Sequence, residues 1–286
     1  MKIHHKLLEL SAPLLRVKNC AESFLNNTSS VSLRVLIYHD IPDSLHGKFF
    51  DHINWLQKSW KILSPKEFIQ CLSGENPLDY PSILLTFDDG FSSNRRIAEE
   101  ILNPLGIQAL YFIISEFAEL NSKAECHSFV SSHIWPGMPE NEVPDHWTNM
   151  NWDDLSFLLS SGHTIGAHSA HHARLSNLSP EMLNVEIVQS ADKLERKLGI
   201  RVDHFAYTFG DLASFSSAAL KVARSRFPYI YTGLRGKNWK GVNPWAIRRD
   251  AINPTDSHAL VGAYLEGGAD FLYRKSLKTY ESWGLS

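Results

Sequence analysis

The run Ile83-Leu84-Leu85-Thr86-Phe87, closed by Asp88-Asp89-Gly90, constrains the fold of this chain more than any other segment. Four of its five residues are apolar, so it reads as a strand buried on both faces. Such strands belong to parallel sheets covered by helices, and they deliver functional groups at their carboxyl ends. Asp88 and Asp89 stand at that end, although Asp and Gly after a strand are also ordinary turn formers. Neighbouring strand residues point to opposite faces, so the two carboxylates imply two different tasks.

Strand and helix patterns alternate along much of the chain. Strand 34–38 is followed by a helix near 49–60, strand 83–87 by a helix near 93–102, and then comes strand 107–114. Ser179 and Pro180 supply a cap and a first-turn proline for a helix that Gly199 stops. Its apolar stripe, Leu183, Ile187, Ala191, Leu194 and Leu198, is scaffold. Strands near 204–207, 229–232 and 245–249 complete a β/α series suited to a parallel barrel. With 286 residues, 43% of them hydrophobic, one domain over 31–286 can bury a large core. Residues 1–30 read as a helical lead that ends in the polar linker Asn26-Asn27-Thr28-Ser29-Ser30. Residues 121–150, with Trp135-Pro136-Gly137 and His146-Trp147, break the rhythm as an insertion. It is either a loop over a barrel mouth or a surface excursion packed on itself.

A second cluster, His168-Ser169-Ala170-His171-His172, follows the short strand 163–167. His168 and His172 are four residues apart, so one helical turn would place both on one face, with His171 pointing elsewhere. Alone, the cluster could be a solvated turn. Together with the acidic pair at another strand end, it suggests one divalent ion held by Asp89, His168 and His172, with positions left for water and substrate.

These segments resemble the polysaccharide deacetylases, the NodB-homology group of carbohydrate esterases. Thr86-Phe87-Asp88-Asp89-Gly90 and His168-Ser169-Ala170-His171-His172 look like the first two motifs of that family, and His204-Phe205-Ala206-Tyr207-Thr208-Phe209-Gly210 resembles the third. Arg34-Val35-Leu36-Ile37-Tyr38-His39 is similar to the family's first strand. Asn151-Trp152-Asp153-Asp154-Leu155 and Ser161-Gly162-His163-Thr164-Ile165-Gly166 resemble the helix and strand before the His motif, so the likeness spans about 34–250. The resemblance implies a distorted, incomplete (β/α) barrel. It also implies a metal-dependent hydrolase that removes an N-acyl group, in first place acetyl, from an amino sugar in a polysaccharide or glycan precursor. Asp88 would be the base and Asp89 a metal ligand. The Phe209 N–H would meet the developing oxyanion.

The sequence departs from the family pattern at Ala206 and Thr208, where many members carry Arg and Pro. The Arg normally orients the catalytic Asp. In Trp245-Ala246-Ile247-Arg248-Arg249 we expect Arg248 to replace it, with Ile247 and Arg249 on the opposite strand face. For the proton donor, His258 is best placed by order, although Ser257 or Asp256 could equally make it the start of a helix. His39, at the end of the first strand, is the rival. A carbohydrate-binding pseudoenzyme that keeps its metal, or a hydrolase of a non-sugar C–N bond, are the alternatives. Zinc is the default ion for such ligands, with nickel, cobalt, manganese and iron also compatible.

A net charge of −3 without basic runs argues against a nucleic-acid surface. Eight Trp are first of all core filling, and could also pack on sugar faces. Cys20, Cys71 and Cys126 show no metal-like spacing and favour a reducing compartment. Glu9 and Pro13 interrupt the leucines near the start, so no signal peptide or transmembrane span is expected. A cytoplasmic protein, with a peripheral membrane contact left open, is the expectation.

Overall fold

The computed structural model describes residues 31–284, together with Lys6, Leu8, Glu9 and Leu15, which are helical. The rest of the expected lead and its linker, with Cys20, lie outside the described residues. The strands are β1 (Leu33–Tyr38), β2 (Lys61–Leu63), β3 (Ser82–Phe87), β4 (Leu110–Ile113), β5 (Thr164–Ala167), β6 (His204–Ala206), β7 (Tyr229–Tyr231) and β8 (Asp250–Ala251). All pair in parallel in the order β7-β6-β5-β4-β3-β1-β8, with β2 beside the first half of β3.

The sheet curls until its two edges are joined by one segment. Ile247 bridges Tyr231 of β7, and β8 then pairs with Leu36 and Ile37 of β1. The result is the expected incomplete (β/α) barrel in a single domain. The expected strand 245–249 is not regular, because this stretch crosses from one sheet edge to the other and pairs with each only briefly.

The helices are α1 (His46–Gln57), α2 (Pro65–Ser73), α3 (Ser92–Ile97), α4 (Lys123–Phe129), α5 (Trp152–Ser160), α6 (Pro180–Leu183), α7 (Ser217–Arg226), α8 (His258–Leu265) and α9 (Arg274–Glu281). Three of them run on in π geometry, α3 over Ala98–Leu102, α4 over Val130–Ile134 and α6 over Asn184–Gln189, and α6 then regains α geometry over Ser190–Leu198. Ser179 caps α6, and Gly199 ends it in the left-handed conformation, as the sequence predicts. β2 and α2 escape the periodicity because both are short, yet Ser64 and Glu67 form a capping box around Pro65.

Alternation along the strands divides the apolar residues in two. Leu33, Val35, Leu84, Leu110, Phe112, Ala206, Tyr231 and Ile247 fill the barrel interior. Leu36, Tyr38, Leu85, Phe87, Ile113, Phe205 and Ile230 face the helices. Interior residues therefore recur at every second position, and the next ones along β3, β5 and the β8 approach are Asp88, His168 and Arg249. Gly166 sits where a Cβ would come within 2.7 Å of the Phe112 ring, which explains the glycine in β5. The registers Tyr38↔Phe87 and Ile113↔Ala167 bring the ends of these strands level. No described helix is long and apolar enough to cross a membrane.

Candidate metal centre and catalytic site

Asp88 leaves β3 with its N–H on the Tyr38 carbonyl (2.9 Å), and its side chain is buried at the barrel mouth. Arg249 donates to both of its oxygens, Nη1 to Oδ1 at 2.7 Å and Nη2 to Oδ2 at 3.0 Å. The guanidinium is itself fixed, with Nε donating to the Thr232 carbonyl (3.0 Å) and its carbon 5.0 Å from the Phe112 ring centre. Burial pushes the Asp88 carboxyl up. The opposing pull of the Arg249 guanidinium wins and holds it below the usual carboxylate value.

Asp89, one residue on, has a positive φ of 73° and turns its carboxylate towards the histidines. Its Oδ1 lies 3.5 Å from His168 Nε2 and 3.5 Å from His172 Nε2. His168 Nδ1 meets the Ala206 carbonyl at 2.9 Å, and His172 Nδ1 meets the His133 carbonyl at 3.1 Å. A carbonyl can only accept, so both Nδ1 atoms carry the proton and both Nε2 atoms present lone pairs. Burial keeps the rings neutral, with His168 lowered to about 3 and His172 to about 4.

Three acceptors thus converge with no donor among them, and Asp89 Oδ1 is a buried oxygen without a hydrogen-bond partner. Burial, reinforced by the Asp88 charge, raises the Asp89 carboxyl to about 6 against the pull of His39 and Arg249. A cation resolves this repulsion. Ligands about 2.1 Å from a tetrahedral ion are roughly 3.4 Å apart, which agrees with the spacing of these atoms. The donor set fits a divalent ion.

The positive-φ residues other than glycine among those described are Asp89, Ser169, His172 and Phe209, and all four lie in the motifs that form this mouth. Such backbone typically stores about 1 kcal/mol or more per residue, and it concentrates where function dictates geometry. Phe209 packs against His172 with ring centres 4.4 Å apart, and its N–H has no acceptor among the described residues. Behind it Gly210 touches Gly233, where a Cβ would lie 2.6 Å from the Gly210 Cα, so this turn needs glycine on both sides.

Two expected residues are not brought here. Arg248 faces away from Asp88, donating to Glu281 Oε1 (3.1 Å) and the Lys237 carbonyl (3.3 Å). The expectation chose the wrong strand face: Ile247 and Arg249 do share one, and it is the interior. His258 is the exposed first residue of α8, capped by Ser257 and stacked on Trp55 at 4.7 Å. It makes no contact with Asp88, Asp89, His168 or His172. His39 instead follows the last residue of β1, exposed and level with Asp88.

Two residues escaped the sequence reading. Glu186, buried in the π-helical part of α6, accepts from the N–H groups of Ala170 (3.1 Å) and His171 (2.9 Å) and from His171 Nδ1 (2.8 Å). A charged residue three positions after Leu183, inside the apolar stripe, was the available signal. His133 belongs to the insertion and acts through its carbonyl, for which no side-chain pattern exists. The insertion packs Cys126, Phe129, Val130, Ile134 and Val143 together and against Phe91, Ile114 and Phe117 of the loops after β3 and β4, and it also touches the site. Asp40 fastens it, accepting from Trp147 Nε1 (2.9 Å) and meeting His146 Nε2 (3.0 Å).

A family profile described as polysaccharide deacetylase matches residues 75–226. YxkH of Bacillus subtilis (strain 168), which carries the same family's name, is 22% identical over 251 residues, covering 85% of this chain and 80% of that protein. The structure of IcaB from Ammonifex degensii superposes with a TM-score of 0.65 at 22% identity, covering 83% of this chain and 98% of that one. The Streptococcus pyogenes deacetylase PplD, solved with acetate, gives 0.64 at 20% identity, covering 82% and 98%.

Proposed function

The chain belongs to the polysaccharide deacetylase family, hydrolases of carbon–nitrogen bonds other than peptide bonds, and we propose that it removes an N-acyl group, in first place acetyl, from an amino sugar of a glycan. The observation that carries this reading is the convergence of three unprotonated acceptors beside a carboxylate clamped by Arg249.

Asp89, His168 and His172 would hold a divalent ion, zinc by default, which supplies Lewis acidity and lowers the pKa of water. Asp88, kept ionised by Arg249, takes a proton from the attacking water. Its carboxylate has about four lone-pair directions, so the two bonds from Arg249 leave room for that proton. The Phe209 N–H donates to the acyl oxygen as it gains charge. The C–N bond then breaks, the acyl carbon keeps the water oxygen, and the nitrogen leaves as an amine after receiving a proton. His39, which follows β1 level with Asp88, fits that donor role better than His258, which starts α8 against Trp55.

Ala206 and Thr208 had pointed towards a pseudoenzyme, and Arg249 removes the main reason for that reading by standing where an arginine is needed. The test is acetate release by zinc-loaded protein from oligomers of N-acetylglucosamine. Turnover that disappears in Asp88→Asn is expected. Acetate release undiminished in that variant overturns the assignment.

A further inference from the structure

Arg249 lies in a segment whose backbone is held from two sides. Ile247 exchanges hydrogen bonds with β7: its N–H donates to the Ile230 carbonyl (3.0 Å), and its carbonyl accepts from the Thr232 N–H (2.9 Å). Asp250 pairs with Leu36 of β1. Between them, the N–H and carbonyl of Arg248 find their partners on a side chain. Asn238 Oδ1 accepts from the Arg248 N–H at 3.0 Å, and Asn238 Nδ2 donates to the Arg248 carbonyl at 2.9 Å. The N–H of Asn238 itself donates to the Leu33 carbonyl of β1 at 2.8 Å, and the residue is completely buried. A carboxamide thus stands where the peptide group of a neighbouring strand would be. It ties the closing segment to β1 at Leu33, below Leu36, where β8 reaches β1 directly.

The side chains of Asn and Gln reproduce the planar donor and acceptor of a peptide group, and Gln is one methylene longer. Without this amide the buried N–H and carbonyl of Arg248 would have no partners, and the segment would be free to slide. The contact is to the Arg248 backbone, so the Arg248 side chain plays no part in it. The next residue is the one that matters for the reaction. The Arg249 N–H donates to the Leu234 carbonyl (3.2 Å), Nε to the Thr232 carbonyl (3.0 Å), and the two Nη atoms to Asp88. A fork held at so many points does not tolerate a shift of its own backbone. Misplacement by about 1 Å at a catalytic group costs up to about 100-fold in rate.

We propose that Asn238 is a positioning residue for deacetylation: its side-chain amide fixes the register of the closing segment, and so places the Arg249 guanidinium on Asp88. This rests on the reading of Asp88 as the base, and the test keeps the two apart.

Asn238→Leu, which has nearly the same shape and neither polar group, and Asn238→Gln are made in the wild-type and in the Arg249→Met background. Zinc-loaded proteins are assayed for acetate release from oligomers of N-acetylglucosamine, and zinc content is measured. The Nε–H signal of Arg249, identified by its loss in Arg249→Met, is followed in proton–nitrogen correlation spectra. Asn238→Leu is expected to lower kcat about 10- to 100-fold, to leave KM and zinc content within about threefold, and to move or abolish the Nε–H signal. Asn238→Gln should recover part of both. In the Arg249→Met background Asn238→Leu should cost less than about twofold, because the link it acts through is already cut. The role is overturned if Asn238→Leu keeps kcat and the Nε–H signal, or if it costs the same factor in both backgrounds, as plain structural support would. If Asn238→Leu does not fold, Asn238→Ala takes its place in the same cycle. Failure of the catalytic reading appears separately, as wild type without acetate release, and the Nε–H signal then decides the role of Asn238 alone.

Discussion

Arg249 and Asp88 form a two-point ion pair, 2.7 and 3.0 Å, across the junction where the barrel closes. Arg249→Met should lower kcat roughly 100-fold or more, the scale of a mispositioned general base. It should also destabilise the fold by about 3 kcal/mol, since it leaves a buried carboxylate without its counter-charge. Arg248→Met should change kcat by less than about threefold, because its partners are Glu281 and Lys237. Steady-state kinetics with thermal melts of both variants checks the assignment, and equal losses would refute it.

The divided roles of the acidic pair predict divided phenotypes. Asp88→Asn should lose roughly 10²–10⁴ in turnover and retain the ion. Asp89→Asn, His168→Ala and His172→Ala should lose the ion itself, as read by elemental analysis after dialysis. Retained metal in any of the three would remove that residue from the ligand set.

Adding the ion to chelator-treated protein should raise its stability. At 100 times Kd the gain is about 2.7 kcal/mol, visible as an upward shift in Tm that Asp89→Asn abolishes. Absence of any shift with zinc, nickel, cobalt or manganese would speak against the site.

Glu186 holds the histidine loop through three hydrogen bonds while lying outside the ligand set. Glu186→Ala should weaken metal affinity about 10- to 100-fold, the usual effect of removing an outer partner of the ligands. Glu186→Gln keeps one acceptor oxygen and should fall between. Competition with a chromogenic chelator measures both, and wild-type affinity in Glu186→Ala would rule the role out.

His163 offers a pH dependence away from the metal centre. Its Nδ1 accepts from the Ala109 N–H at 3.1 Å, and its Nε2 meets Asn103 Oδ1 at 2.9 Å. Burial lowers its pKa to about 4, below the usual 6.5, so the unfolded chain takes up this proton first. The stability linked to this group is full above pH 6.5 and falls as pH drops towards 4, by up to about 3 kcal/mol. Urea unfolding of wild type and His163→Gln across that range should show a shallower slope in the variant.

The order of strands and helices was legible because buried strands and amphipathic helices have distinct periods, and because Gly199 and Ser179 punctuate them. The candidate ligand cluster was legible because Asp89, His168 and His172 stand in two compact motifs. Arg249 was not, because alternation pairs it with Ile247 without saying which face of a segment that crosses between two sheet edges turns to the interior. His258 misled for a related reason: order along the chain says nothing about which end of α8 meets the mouth. His133 contributes a carbonyl, and carbonyls are the same in every residue.

Ile247 bridges β7 two residues before Arg249, and β8 begins one residue after it. The segment that shuts the ring is thus also the one that arms the carboxylate. Chains emerge from synthesis amino end first, so Asp88, Asp89 and the histidines exist for some time without their guanidinium. Completion of the fold then works as an interlock: a chain whose clasp is undone has the acidic and histidine motifs in sequence, but its Asp88 carboxylate is clamped only when the two edges meet.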